Sequence, residues 1–318
     1  MRSKLLLPAW LLAAMLTACG GGGGSTSSGS DIGVATPTTP TTPTPADQPG
    51  APAMTGDTAT DGFNWFNYRR AQIGLSQLTR NNRIDAAAVG HSNYLRLNNT
   101  VVHNQTAGNP GFTGAALSDR FAAAGYTLTL PYAYGEVISA ASDRSGVYHA
   151  EELIAAIYHR FVVFEPVFRE MGAGAATGNN NYTYFTADLA TSNGYGAGVG
   201  RGKVVNYPAD GQTAVPTTFN SDNESPDPVP NQNQVGYPIS VHADISAQIS
   251  VTTFTVHPRG GSNMTTRLLS RATDAETPTS AAAIIPLSTL QSGTTYDVSF
   301  SGTVDSVPVS RNWSFTTK

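Results

Sequence analysis

Six histidines are the residues best equipped for chemistry in this 318-residue chain: His91, His103, His149, His159, His242 and His257. No two stand four apart, so the i, i+4 pairing that makes a helical zinc site readable does not occur. His91 falls on the apolar face of a helical pattern, where an imidazole is usually a satisfied core group. His149 precedes His159 by ten residues and is expected to face elsewhere on their helix, as a surface or capping residue. His242 and His257 read as ordinary strand residues. Asp119-Arg120 is a candidate substrate pair, and reads more readily as an exposed or structural ion pair. No G-x-S-x-G elbow is present, and Cys19, the only cysteine, is not placed as a nucleophile. The glycine-rich run from Gly194 to Lys203 lacks a phosphate-loop pattern because Ala197 and Val204 interrupt it. Tyr132, Tyr134, Tyr182 and Tyr184 are candidates for a sugar or lipid groove, or for strand packing.

The elements that must position these residues begin after a long leader. Arg2 and Lys4 precede an apolar run, Leu5 to Met15, with the form of a secretory signal. That run is too short for a permanent membrane span. Leu16-Thr17-Ala18-Cys19 resembles a bacterial lipobox, which implies cleavage before Cys19 and lipid attachment to its sulfur. Several acyl chains anchor stably where one would not. By resemblance to proteobacterial lipoproteins, Gly20 favours sorting to the outer membrane. Residues 19–58 then form a Gly/Ser/Thr/Pro-rich tether that cannot bury enough apolar surface to fold.

Composition narrows the function classes. Charged residues make up 13%, and Lys+Arg 18 stand against Asp+Glu 22, a formal −4. After a signal cleaved at Cys19, Lys203 and Lys318 are the remaining lysines. Such a surface lacks the basic footprint of nucleic-acid binding, and that class is excluded. With one cysteine, an intrachain disulfide is also excluded.

From Asp61 helical spacing takes over, with Phe63, Phe66, Arg70 and Ile73 on one face and Gly74 ending the helix. Further helices are expected from about Asn82 to Leu97, around Leu117 to Ala124, and from about Val147 to Phe164, where Pro166 closes the last. Strands are expected at Tyr132–Ala140, Glu170–Ala176 and Tyr182–Ala190. In the last, Phe185, Ala187 and Leu189 alternate with polar neighbours. The pattern predicts an α+β layered arrangement, helices on both sides of a sheet. Beyond Val204 the periodicity becomes two. Ile239-x-Val241, Phe254-x-Val256, Tyr296-x-Val298-x-Phe300 and the closing Trp313–Thr317 predict an all-β sandwich over 204–318, similar to bacterial Ig-like or fibronectin-like modules.

The order Asn67-x-x-Arg70, Gly74-Leu75, Leu78, Ala87-Ala88, His91, Tyr94, His103-Asn104 resembles the bacterial branch of the CAP superfamily. That superfamily unites the cysteine-rich secretory, antigen 5 and pathogenesis-related proteins. The likeness continues through Asp119-Arg120, Gly125-Tyr126 and Tyr134-Gly135-Glu136. It is sharpest at His159-Arg160, Pro166, Phe168, Glu170 and Gly172-x-Gly174. It covers the expected domain at 59–203 and implies an α-β-α sandwich with a cavity of histidines and glutamates. Carried over, His103, Glu136 and His159 are the cavity residues. The second cavity histidine of eukaryotic members has no equivalent near Tyr184-Phe185-Thr186. Two imidazoles and a carboxylate suit a divalent metal such as zinc, with a fourth position for water. They equally suit a hydrogen-bonded polar cluster under a binding groove. The resemblance therefore implies a non-enzymatic envelope module for a lipid or sterol, glycan or protein, or alternatively a metal-assisted hydrolase or peptidase.

Overall fold

The computed structural model describes residues 48–179 and 181–318. The signal at 1–18, the lipidation site Cys19 and most of the expected tether lie outside the described residues. Residues 48–57 run along the first helix: Arg69 Nη1 donates to Gln48 Oε1 (3.1 Å) and Tyr68 Oη to the Pro49 carbonyl (3.0 Å).

The first region is an α+β sandwich. Helices α1 (Thr58–Gln72), α2 (Asn82–Asn98), α3 (Leu117–Ala123), α4 (Gly146–Ala155) and α5 (Ile157–Val163) accompany strands β1 (Thr79–Arg80), β2 (Ala133–Ala141), β3 (Glu170–Thr177) and β4 (Thr183–Thr191). The sheet order is β1-β3-β4-β2, with β1 parallel to β3 and the other pairs antiparallel. Asp57 caps α1 by accepting from the Thr60 amide, and Asn81 caps α2 through the Arg83 amide. α2 lies directly on β3. A Cβ on Gly172 would stand 2.2 Å from the Asp85 amide nitrogen, and one on Gly174 2.3 Å from that of Val89. The Gly172-x-Gly174 spacing thus keeps helix backbone against strand backbone, where no side chain fits. The opposite face of the sheet, carrying Val137, Phe185 and Met171, packs on α1, α4 and α5.

The helix expected over 147–164 is two helices. Ala156 leaves helical geometry (φ −66°, ψ 115°), and α5 starts anew behind it without a side-chain cap of its own. The cap comes from 67 residues away. The Glu224 carboxylate accepts from the amides of Ile157 (2.8 Å), Tyr158 (2.7 Å) and His159 (3.2 Å). These are orphan donors of a helix start, answered by an anion.

Glu224 belongs to the β-rich second region: β5 (Val205–Tyr207), β6 (Gln212–Val215), β7 (Thr218–Asn220), β8 (Gln234–Gly236), β9 (Ile239–His242), β10 (Ile249–Pro258), β11 (Thr266–Ser270), β12 (Ala281–Pro286), β13 (Thr295–Val304) and β14 (Val307–Thr317). Two four-stranded sheets, β10-β13-β14-β6 and β11-β12-β9-β5, pack face to face, with a small β7-β8 pair beside them. Alternation is clean in β13: Tyr296, Val298, Phe300, Gly302 and Val304 are buried between half-exposed neighbours. The two regions share one apolar cluster, which runs from Trp65, Ile154 and Phe164 to Tyr207, Tyr237 and Ile284. Across the junction the Arg160 guanidinium sits between the Tyr207 and Tyr237 rings, 4.9 and 5.0 Å from their centroids. It donates to the Pro238 carbonyl at 2.6 Å.

Candidate functional site

On the α2 side of the sheet, a polar seam separates two small apolar clusters, one around Ile84, Phe121 and Tyr126 and one around Tyr94, Ile138 and Tyr184. Glu136 points into this seam from β2 and is 4% exposed. Its Oε1 accepts from His103 Nδ1 (2.9 Å) and its Oε2 from Arg120 Nη2 (2.5 Å). Arg120, on α3, also donates through Nη1 to the His103 carbonyl (3.0 Å). Burial works to raise the Glu136 carboxyl, but the Arg120 guanidinium and the His103 hydrogen bond outweigh it and hold it ionised. Because a carboxylate only accepts, His103 donates from Nδ1, and its Nε2 stands outside this pair. The His103 side chain is 12% exposed, the most open of the group.

The loop bearing His103 is pinned from α2. The fully buried His91 donates from Nε2 to the Val102 carbonyl (2.9 Å) and accepts at Nδ1 from Gln105 (3.0 Å). Gln105 accepts in turn from the Thr113 amide (2.6 Å), and Tyr94 Oη accepts from the Thr106 amide (2.9 Å). Burial pushes the His91 imidazole down to about 4, so it is neutral and structural, as expected. Asp188 pairs in register with Glu136 across β2 and β4 and shares its side of the sheet. It is fully buried, and neither carboxyl oxygen has a partner among the described residues. Burial and then the Glu136 charge raise it well above the usual carboxylate range. Two adjacent carboxyls thus hold a single negative charge. Where the chain enters β2, Tyr132 stacks on Tyr134 at 6.1 Å, and Tyr134 meets Phe121 edge-on at 6.0 Å.

His103 and Glu136 therefore come together, and His159 does not join them. Glu136 points away from α5, which packs on the Gly135 side of β2 against Val162. On α5, His159 Nδ1 is held by Glu224 Oε1 (3.0 Å), and the ring is 1% exposed. The predicted three-residue metal set fails on its donors. Both Glu136 oxygens are engaged, His103 Nδ1 is bonded to that same carboxylate, and His159 is bound by a different one. Among the described residues no three His, Cys, Asp or Glu side chains gather as a metal set. A zinc ion does not fit these residues as they are arranged. His149 is also displaced from its expected surface position. It is fully buried, with Nδ1 on Ser139 Oγ (2.8 Å) and Nε2 on the Asp143 carbonyl (3.1 Å).

Sequence reasoning missed Arg120 and Asp188 as site members. Asp119 is not the partner of Arg120; it caps α3 by accepting from the Ala116 amide (3.0 Å). Asp188 looked like an outward strand residue, because alternation assigns one face to solvent. Here both faces of β4 are covered, and every residue of the strand is buried.

Residues 63–189 match the model of CAP, the cysteine-rich secretory protein family. Among solved structures the chain is similar to an extracellular SCP-domain protein of Bacillus anthracis str. Ames, at 23% identity and TM-score 0.35 over 42% of this chain and 39% of that one. It is also similar to an outer surface protein of Borrelia burgdorferi, at 13% identity and TM-score 0.34 over 41% of this chain and 89% of that one. The chain thus spans well under half the length of the Bacillus protein. No curated protein matches it.

Proposed function

We propose that this chain, a CAP-superfamily protein through its residues 63–189, is a non-enzymatic binding protein of the cell envelope. One observation carries this reading: both oxygens of the Glu136 carboxylate are engaged, by His103 and by Arg120. A general base or a metal ligand needs an oxygen that is free to react. Here the carboxylate instead fixes the loop of His103. Such an arrangement can recognise a ligand and has no evident means to activate water. The signal-like leader and Cys19 support placement in the envelope through a lipid anchor, with outer-membrane sorting as the finer proposal. No helix among the described residues is long and apolar enough to cross a membrane.

The metal-assisted hydrolase is the competing reading, and a thermal melt of the metal-stripped full chain separates the two. At about 100 times Kd a native-state ligand adds about 2.7 kcal/mol, which raises Tm by about 5 °C or more. The binding reading expects no such shift with zinc. A shift lost in both His103→Ala and His159→Ala would require His159 to leave Glu224, and would replace this reading with the hydrolase.

A further inference from the structure

A groove lies on the outer face of the second region. It encloses about 380 Å³ and is lined by Asp210, His257, Asp297, Ser299, Asn312 and Ser314, with Val298 and Trp313 also contributing. That volume lies at the lower end of the range for small-molecule sites, about 300–1,000 Å³. Register explains why these residues meet. His257 of β10 pairs with Asp297 of β13, which pairs with Ser314 of β14; in the next row Ser299 pairs with Asn312. Asp210 closes the first row by accepting from the Ser314 amide (3.0 Å). Two rows of short hydrogen-bonding side chains thus cross three strands, while Val256, Val298 and Phe315 fill the core beneath.

We infer that this groove is a binding site for a neutral, polyhydroxylated ligand, a short stretch of uncharged glycan. Charge selects that class. The Asp210 carboxylate in the lining repels phosphate, sulfate and uronic acids. A cation is disfavoured because Asp297 already holds the Arg259 guanidinium through both oxygens (2.6 and 3.1 Å). What remains suits hydroxyl groups, which donate and accept at once. The carboxylates and the Asn312 carbonyl accept; the Asn312 amide and the serine hydroxyls donate. His257 donates from Nδ1 to the Pro258 carbonyl (3.1 Å), which leaves Nε2 as a further acceptor.

The test is titration calorimetry of the full chain with chitotetraose, maltotetraose and cellotetraose, beside calcium chloride and a heparin tetrasaccharide. Saturable binding of at least one neutral tetrasaccharide is expected, weakened about tenfold or more in Asp210→Asn and in Asn312→Ala, the effect of losing one good hydrogen bond. Ser299→Tyr, which fills the groove from a half-exposed strand position, should abolish it, and a thermal melt of each variant checks folding. Val89→Ala, at an exposed position of α2 in the first region, should bind as the parent does. No saturation with any of the three neutral sugars overturns the inference. So does binding that all three groove variants retain, or binding of calcium or heparin at the groove instead.

Discussion

At the scale of single residues, the seam is held by one buried charge pair. Arg120 and Glu136 are each almost wholly removed from water, and Arg120 also ties down the His103 carbonyl. Removing one partner of such a pair strands the other, at a cost of about 3–5 kcal/mol. Arg120→Met is therefore expected to lower urea stability by that amount, and Arg120→Lys should recover little, since one ammonium cannot reproduce the two-pronged contact. The double variant Arg120→Met/Glu136→Leu should be more stable than Arg120→Met alone, because no charge is left stranded. A double variant less stable than both singles would mean that the pair does not work this way. A second buried carboxyl gives a pH signature. Burial raises Glu165 to about 8, although Val167 and Ile245 donate to it. Its folded pKa lies above the unfolded value, so its contribution is complete below about 4.3 and is lost as pH rises through 8. Glu165→Gln keeps the carbonyl acceptor and cannot ionise. The Tm of this variant relative to the parent should climb from pH 5 to about pH 8 and level off above it; a constant difference would show that Glu165 is already ionised when folded.

At the scale of elements, most helices and strands of the first region were legible because their signals are local. Phe63, Phe66 and Arg70 mark one helical face, Asn81 caps α2, and Pro166 stops the last helix. The break at Ala156 was not legible. Ile157 to Val163 continue the apolar helical pattern of α4, and what restarts the helix is a carboxylate remote in sequence. The same distance hid the fate of His159, whose motif resembles a cavity histidine while its nearest acid is Glu224. The candidate site was half legible for a related reason: His103 and Glu136 sit in readable motifs, but Arg120 and Asp188 take their meaning from burial. Glu224 tests the element-scale argument. Glu224→Ala removes four hydrogen bonds from three amides and one imidazole. A loss of about 3–5 kcal/mol is expected in urea unfolding. Glu224→Gln, which keeps its acceptor oxygen but not the charge, should fall between. If Glu224→Ala unfolds at the parent's midpoint, α5 does not depend on this cap.

At the scale of the molecule, the junction decides whether the two regions behave as separate domains. Surface contacts alone would allow them to unfold independently. The contacts here are of another kind. Arg160 is fully buried between two tyrosines of the second region, His242 lies edge-on to Phe161 and Phe164, and one apolar cluster continues through both regions. Cutting near residue 203 would leave the amides of α5, the Arg160 guanidinium and a large apolar surface unanswered. The folding unit is therefore the whole described chain, and a fragment ending at the first region should not hold its native structure. Trp65 and Trp313 provide one reporter in each region, both buried. With Trp10 replaced by Phe throughout, single-tryptophan variants should give coincident urea transitions by fluorescence, with a common midpoint and slope. Adding Glu224→Ala should move both transitions to lower urea together. Separated midpoints in the parent would mean that the shared core does not couple the regions, and that each could be studied alone.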